Sequence, residues 1–135
     1  LTRFLLDTNV ISDLFRGHAE VMAGFRRHAP QDLGISTLTV MEIEYGMERQ
    51  PQARKKFGEL WEGLQADLTL LPFEAPDARH TAQIRAALAA AGTPIGPFDL
   101  QLAGTARARR LTLITHNTAE FARVPDLKWQ DWRTD

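Results

Sequence analysis

Short apolar runs alternate along this chain with longer stretches in which apolar residues recur every three or four positions. Arg3-Phe4-Leu5-Leu6 ends in Asp7-Thr8-Asn9, the pattern of a buried strand opening into a turn. Helices are expected over 10–15 and 19–28, with a second short strand over 32–36. Thr37 or Thr39 is placed to cap the next helix, which carries Val40, Met41, Ile43, Tyr45 and Met47. Pro51 breaks that helix and opens another, where Phe57, Leu60, Trp61 and Leu64 form one apolar stripe read as core-facing. A strand over 68–71 is followed by an alanine-rich helix over 76–91 that Gly92 stops. Pro97 opens a helix through 109, and a strand over 111–114, a short helix over 117–121 and a strand over 127–129 complete the chain.

Strands alternating with helices throughout predict an α/β sandwich with a mostly parallel sheet of four to five strands. Sites in such sheets form outside the carboxyl ends of the strands, where strand order reverses. Asp7 directly follows the first strand, and Asn117 and Glu120 follow the strand over 111–114, so these two strands are expected as central neighbours.

The length of 135 residues suits one domain spanning 1–135, with no repeat or linker. Hydrophobic residues at 44% and charged residues at 24% are a soluble, globular composition. The chain has no cysteine, so disulfides and thiolate metal sites are excluded, and a cytoplasmic location is expected. No apolar stretch is long enough for a membrane span. A net charge of −1, from 16 basic and 17 acidic residues, does not mark a nucleic-acid binder, but acids gathered in one pocket would leave the remaining surface basic.

Four acids are candidates for such a pocket: Asp7, Glu42, Asp99 and Glu120. Each has an ordinary explanation. Asp7 can cap the next helix, and Glu42 can be a surface charge. Asp99, near the third position of its helix, is favoured by the helix dipole. Asn117 and Glu120 can form a capping box. The functional reading rests on their common placement at strand ends and helix starts. Carboxylates from distant segments suit magnesium or manganese, which take oxygen ligands and act on phosphodiesters without histidine or thiol help. Thr8 and Asn9 are placed to orient Asp7, whereas Glu44 and Glu48 read as solvent-facing.

These segments together resemble the PIN-domain ribonucleases, and specifically the VapC toxins of VapBC toxin–antitoxin pairs. The resemblance rests on Phe4-Leu5-Leu6-Asp7-Thr8-Asn9-Val10, on Ile35-Ser36 through Thr39-Val40-Met41-Glu42-Ile43-Glu44-Tyr45-Gly46, and on Gly92-Thr93-Pro94-Ile95-Gly96-Pro97-Phe98-Asp99. It continues through Thr115-His116-Asn117-Thr118-Ala119-Glu120-Phe121 to Gln130-Asp131-Trp132. It implies a three-layer α/β/α PIN-like domain and an endoribonuclease dependent on Mg2+ or Mn2+. Asp7, Glu42 and Asp99 match three family acids. The fourth position falls between Glu120, carried over as the acid, and Asn117, carried over as a supporting polar ligand. Thr8, Asn9, Ser36 and Thr115 match positions that support the acids. The implied substrate is RNA, notably a tRNA anticodon loop and, for the subgroup most resembled, initiator tRNA. The implied partners are a VapB-like antitoxin, a second copy in a homodimer, and operator DNA reached only through the antitoxin.

RNA contact calls for cations near the acids, and Arg85 is the first choice, with Arg107 second. Competing readings are a magnesium-dependent phospho-acceptor receiver domain and a catalytically silent PIN-fold binding module. A receiver domain wants an acidic pair after the first strand, where this chain has Asp7-Thr8-Asn9. The presence of Asp7, Glu42 and Asp99 argues against a silent module.

Overall fold

A computed structural model describes residues 1–133. The elements in chain order are β1 (Phe4–Leu6), α1 (Thr8–Phe15), α2 (Ala19–Arg26), a 3-10 turn (Pro30–Asp32), β2 (Leu33–Ser36), α3 (Thr37–Arg49), α4 (Pro51–Asp67) and β3 (Thr69–Leu71). They continue with α5 (Ala75–Ala90), α6 (Pro97–Arg109), β4 (Thr112–Ile114), α7 (Thr118–Phe121) and β5 (Trp129–Gln130). All four strand pairings are parallel, in the order β3-β2-β1-β4-β5. The chain builds outward from β1 through β2 to β3, then returns to add β4 and β5 on the other side. The crevice between β1 and β4 is therefore the switch point, and Leu6 lies opposite Ile114 at its mouth.

Strand alternation sends Phe4 and Leu6 to one face and Leu5 to the other. The first face packs with Ile11, Ile35, Trp61 and Trp132 beneath α1 to α4. The second packs with Ile84, Leu88, Leu102 and Leu113 beneath α5 and α6. Both faces are buried, as short all-apolar parallel strands require. Small residues let α6 approach closely, since Ala103, Gly104 and Ala106 are all buried.

Three expectations change in detail. Ser36 caps α3, its hydroxyl accepting from the Leu38 amide at 3.0 Å, in place of Thr37 or Thr39. Leu60 is exposed, while Trp61 and Leu64 of its stripe are buried and Phe57 is half-buried. Glu44 is not free in solvent. It accepts from the Trp61 indole at 2.7 Å and from Arg54 at 3.0 Å, tying α3 to α4. These bonds hold its carboxyl below the ordinary range.

Near the C-terminus, Arg133 is bidentate to buried Asp13, at 2.9 Å from Nε and 2.7 Å from Nη2. Burial pushes Asp13 upward, but the bonds from Arg133 and Arg16 and the His116 charge more than offset it, leaving its carboxyl below the usual range. Arg133→Ala strands a buried carboxylate and should cost about 2–3 kcal/mol, the low end for a broken buried pair because Arg133 is partly exposed. A folded acid held below its unfolded value stabilises fully above the unfolded value and loses that contribution as pH falls through the folded one. Urea melts of both proteins should thus differ at pH 7 and converge only as pH falls below 3.8 and through the lowered folded value.

Candidate active site

Asp7 directly follows β1, and its amide donates to the Ile114 carbonyl at 2.9 Å, so the side chain sits at the β1–β4 switch point. It is 3% exposed. One carboxylate oxygen accepts from the Thr8 amide at 2.6 Å, which makes Asp7 the cap of α1 as well. The other accepts from Thr115 Oγ1 at 2.8 Å and Asn9 Nδ2 at 3.1 Å. Burial raises the Asp7 carboxyl above its ordinary value, against the lowering effect of the Thr115 and Thr8 bonds and the His116 charge.

Asp99 arrives from the other side, on the first turn of α6 behind Gly96 and Pro97. Its carboxyl is pushed up to about 6 by burial, then by the charges of Asp7 and Glu120 and by a hydrogen bond with Glu120. A capping role for Asn117 and Glu120 is not what forms. Asn117 makes no side-chain cap bond, and its amide nitrogen donates to Asp99 Oδ2 at 3.3 Å. Thr115 links the two strand ends, since its hydroxyl also accepts from the Asn117 amide at 3.0 Å. Asp7, Asp99, Glu120, Asn117 and Thr115 thus form one connected cluster.

Glu42 stands apart from it. It is exposed on α3, one turn beyond buried Thr39, whose hydroxyl accepts from Thr8 Oγ1 at 3.3 Å. Glu42 and Thr8, the neighbour of Asp7 in the chain, share the wall of a groove of about 300 Å3. Ser36 is buried as the α3 cap, so it reaches the acids only through the helix it starts. Arg85 is exposed on α5, at the rim of a cavity of about 520 Å3 that also includes Pro97 and Leu100 of α6.

Arg107, expected as the second RNA contact, is half-buried and bonded within the fold. Its guanidinium donates to His80 Nδ1 at 2.9 Å, Gln83 Oε1 at 2.6 Å and the Pro125 carbonyl at 3.3 Å, clamping α6 to α5. It also lies eight residues beyond Asp99 on one helix, about 12 Å along the axis. These bonds engage its guanidinium with neighbouring segments of the fold.

The contacts of His116 and the lack of a partner for Asn9 Oδ1 are features that residue patterns do not show, although Asn9 itself is expected beside Asp7. His116 Nδ1 lies 3.6 Å from Asp13 Oδ2, and its charge also acts on Asp7. Asn9 Oδ1 is buried with no hydrogen-bond partner, while the same side chain's nitrogen serves Asp7. Burial and contacts made across the fold reveal both.

The donors around the cluster are carboxylates, hydroxyls and amides, the chemistry of a hard cation. Among the described residues, no three His, Cys, Asp or Glu side chains converge tightly enough to hold a metal by themselves. Oxygen donors of this kind are those magnesium takes, alongside several waters of its own. No helix among the described residues is long and apolar enough to cross a membrane.

A family profile described as PIN domain matches residues 4–127. The chain is 39% identical over 133 residues to the tRNA(fMet)-specific endonuclease VapC of Shigella flexneri, covering 98% of this chain and 99% of that protein. It is 35% identical over 132 residues to the protein of the same name from Salmonella typhimurium, covering 98% and 99%. The crystal structure of DNA-bound VapBC from Salmonella typhimurium superposes with a TM-score of 0.89 at 34% identity, over 98% of this chain and 99% of that one. With the all-parallel sheet and the acids at its switch point, these likenesses show that the chain belongs to the PIN-domain family, in its VapC branch.

Proposed function

We propose that this protein is the toxin of a type II toxin–antitoxin pair, an endoribonuclease that hydrolyses RNA phosphodiesters with Mg2+ or Mn2+. The observation that carries the reading is the gathering of Asp99 with Asp7 and Glu120 at the switch point, where burial first, and then the charges of these two acids, raise the Asp99 carboxyl to about 6. Like charges held together at a cost to stability are expected where a cation offsets the repulsion. The two relatives above carry the name tRNA(fMet)-specific endonuclease, so initiator tRNA is the proposed substrate.

Asp7, Asp99 and Glu120 would hold the ion, with Glu42 approaching from the groove rim and Asn117 steadying Asp99. When bound, such an ion polarises a phosphoryl oxygen and lowers the pKa of water. The chain's own contribution is orientation. Thr115, Asn9 and the Thr8 amide keep Asp7 in one rotamer and favour its ionised form. Asn117 fixes the face Asp99 presents, and Arg85 at the neighbouring cavity rim is placed to meet a substrate phosphate. Apolar Leu14, Met22, Phe25 and Leu60 line a pocket of about 220 Å3 between α1, α2 and α4. It suits an apolar segment of a VapB-like antitoxin. The same reading takes a homodimer as the working form and leaves contact with operator DNA to the antitoxin.

Mapping RNA 5′ ends after brief induction tests the substrate. One dominant anticodon-loop site, absent with Asp7→Asn, is the expected result, and cleavage spread evenly over unrelated RNAs would sink the tRNA assignment.

Metal removal makes a second prediction. An acid whose folded value lies above its unfolded value destabilises fully above the folded value, and the penalty fades as pH falls to the unfolded one. For Asp99 the window runs from 3.8 to about 6. The full cost is about 3 kcal/mol, which solvent screening of this half-buried group cuts to ~1 kcal/mol. In EDTA, Asp99→Asn should therefore melt above wild type at pH 7.5 and lose that advantage near pH 4. Adding Mg2+ should raise the wild-type melting temperature alone.

A further inference from the structure

We propose that the N-terminal edge of the sheet, opposite the acids, is a second nucleic-acid contact surface that holds the phosphate backbone of single-stranded RNA. Arg3 immediately precedes β1, Lys128 immediately precedes β5, and Arg110 lies two residues before β4. These three strands are neighbours in the order β1-β4-β5. The ladder continues into the flanking residues, where the Thr112 amide donates to the Arg3 carbonyl at 3.0 Å and the Leu113 amide to the Lys128 carbonyl at 2.9 Å. Adjacent strands lie about 5 Å apart, so the cations stand in a row across one edge of the sheet.

The row opens onto a cavity of about 520 Å3 whose lining includes Arg3, Arg109, Arg110 and Lys128 and no acidic residue. A second cavity of about 210 Å3 shares Arg110 and Lys128 and extends the groove past Arg107, with Asp126 as its single acid. Arg109 is committed to Asp77, Glu74 and the Pro72 carbonyl, and Arg107 to α5. Those two need no further explanation, since cations in a last helical turn offset the helix dipole. Arg3, Arg110 and Lys128 are different. None makes an ion pair among the described residues. Arg3 and Lys128 belong to no helix, and Arg110 is held at φ 58, where glycine is the default.

Charge is thus sorted to the two ends of the same strands in a chain of net charge −1. Arg3 and Asp7 flank β1 on either side, four residues apart, about 13 Å in an extended chain. A groove longer than one phosphate, with three cations in no ion pair among the described residues and Arg3 lying 5.1 Å over the Phe4 ring, suits a repeating anion. Trp129, exposed on the outer strand beside Lys128, offers an aromatic face such as single-strand binders use for bases. The choice of RNA among polyanions rests on the ribonuclease reading above.

The test is fluorescence anisotropy of a labelled single-stranded oligouridine, titrated with full-length protein in EDTA at several salt concentrations. The variant Arg3→Gln/Arg110→Gly/Lys128→Gln should bind about tenfold more weakly, and its slope of log K against log salt should fall by about 2, at roughly 0.7 per lost phosphate contact. With Mg2+ present, it should cleave a short substrate spanning only the acids at the wild-type rate. Unchanged affinity and slope overturn the proposal, as does lost binding to anionic phosphatidylglycerol vesicles with RNA binding intact. If the triple variant fails to fold by circular dichroism, Lys128→Glu alone carries the same readouts. A wild type that binds RNA but cleaves none would count against the ribonuclease reading and leave this one standing.

Discussion

Asp99→Asn should lower RNA cleavage by at least on the order of a hundredfold and leave the protein folded. Loss of a residue that merely supports a metal ligand costs about 10–100-fold, so loss of a proposed ligand should match or exceed the upper figure. Asn retains the shape and can still meet Asn117 across the gap that Nδ2 and Asp99 Oδ2 now close at 3.3 Å. What it removes is the charge. Because that charge is disfavoured by burial and by Asp7 and Glu120, its loss relieves repulsion rather than breaking a stabilising pair. Activity and stability should therefore move in opposite directions, a combination that general unfolding cannot produce. Single-turnover cleavage of end-labelled tRNA beside a melting curve reads both. A folded Asp99→Asn protein cleaving at the wild-type rate would remove Asp99 from the catalytic set.

Gly104→Ala should destabilise the fold by about 2 kcal/mol and lower the melting temperature by roughly 8 °C. A methyl group at position 104 of α6 runs into Thr81 of α5, touching its hydroxyl and standing 2.8 Å from its amide nitrogen and 2.9 Å from the Asp77 carbonyl. Two of these three atoms are backbone, and the hydroxyl is held by its own 2.7 Å bond to that carbonyl. No rotamer change clears the space, so α5 and α6 must move apart and loosen the core around Ile84 and Leu102. The gain in helix propensity, up to about 1 kcal/mol, offsets only part of the overpacking. Gly63→Ala is the matched control. Nothing lies within 4 Å of its added methyl, so propensity alone acts and the melting temperature should rise. Should both variants shift melting alike, the close α5–α6 approach would not be what Gly104 provides.

The β1 and β4 strands were legible because Phe4-Leu5-Leu6 and Leu113-Ile114 are apolar on both faces and are followed at once by polar turns. Asp7 and Asp99 were legible because each stands at a fixed offset from such a signal, one after Leu6 and one after Pro97. The α5–α6 clamp was not. Arg107 reads like any exposed helical arginine until His80, Gln83 and Pro125 are brought around it by chain segments up to 27 residues away. Glu44 reads as a surface charge until α4 carries Trp61 and Arg54 to it.

The fourth acidic position divides along the same line. Asn117, just before α7, and Glu120 on it are one turn apart, and local pattern alone permits a capping box. The fold brings Asp99 within reach of both and redirects Asn117 to it. Hydrophobic periodicity is local information, since burial of a face depends on spacing along one segment, and it suffices for the element order and the parallel α/β class. Which acid meets which, and which arginines remain free for RNA, depends on contacts between residues far apart in the chain. Those contacts exist only once the sheet order β3-β2-β1-β4-β5 sets Asp7 beside Thr115 and leaves Arg3, Arg110 and Lys128 at the opposite edge.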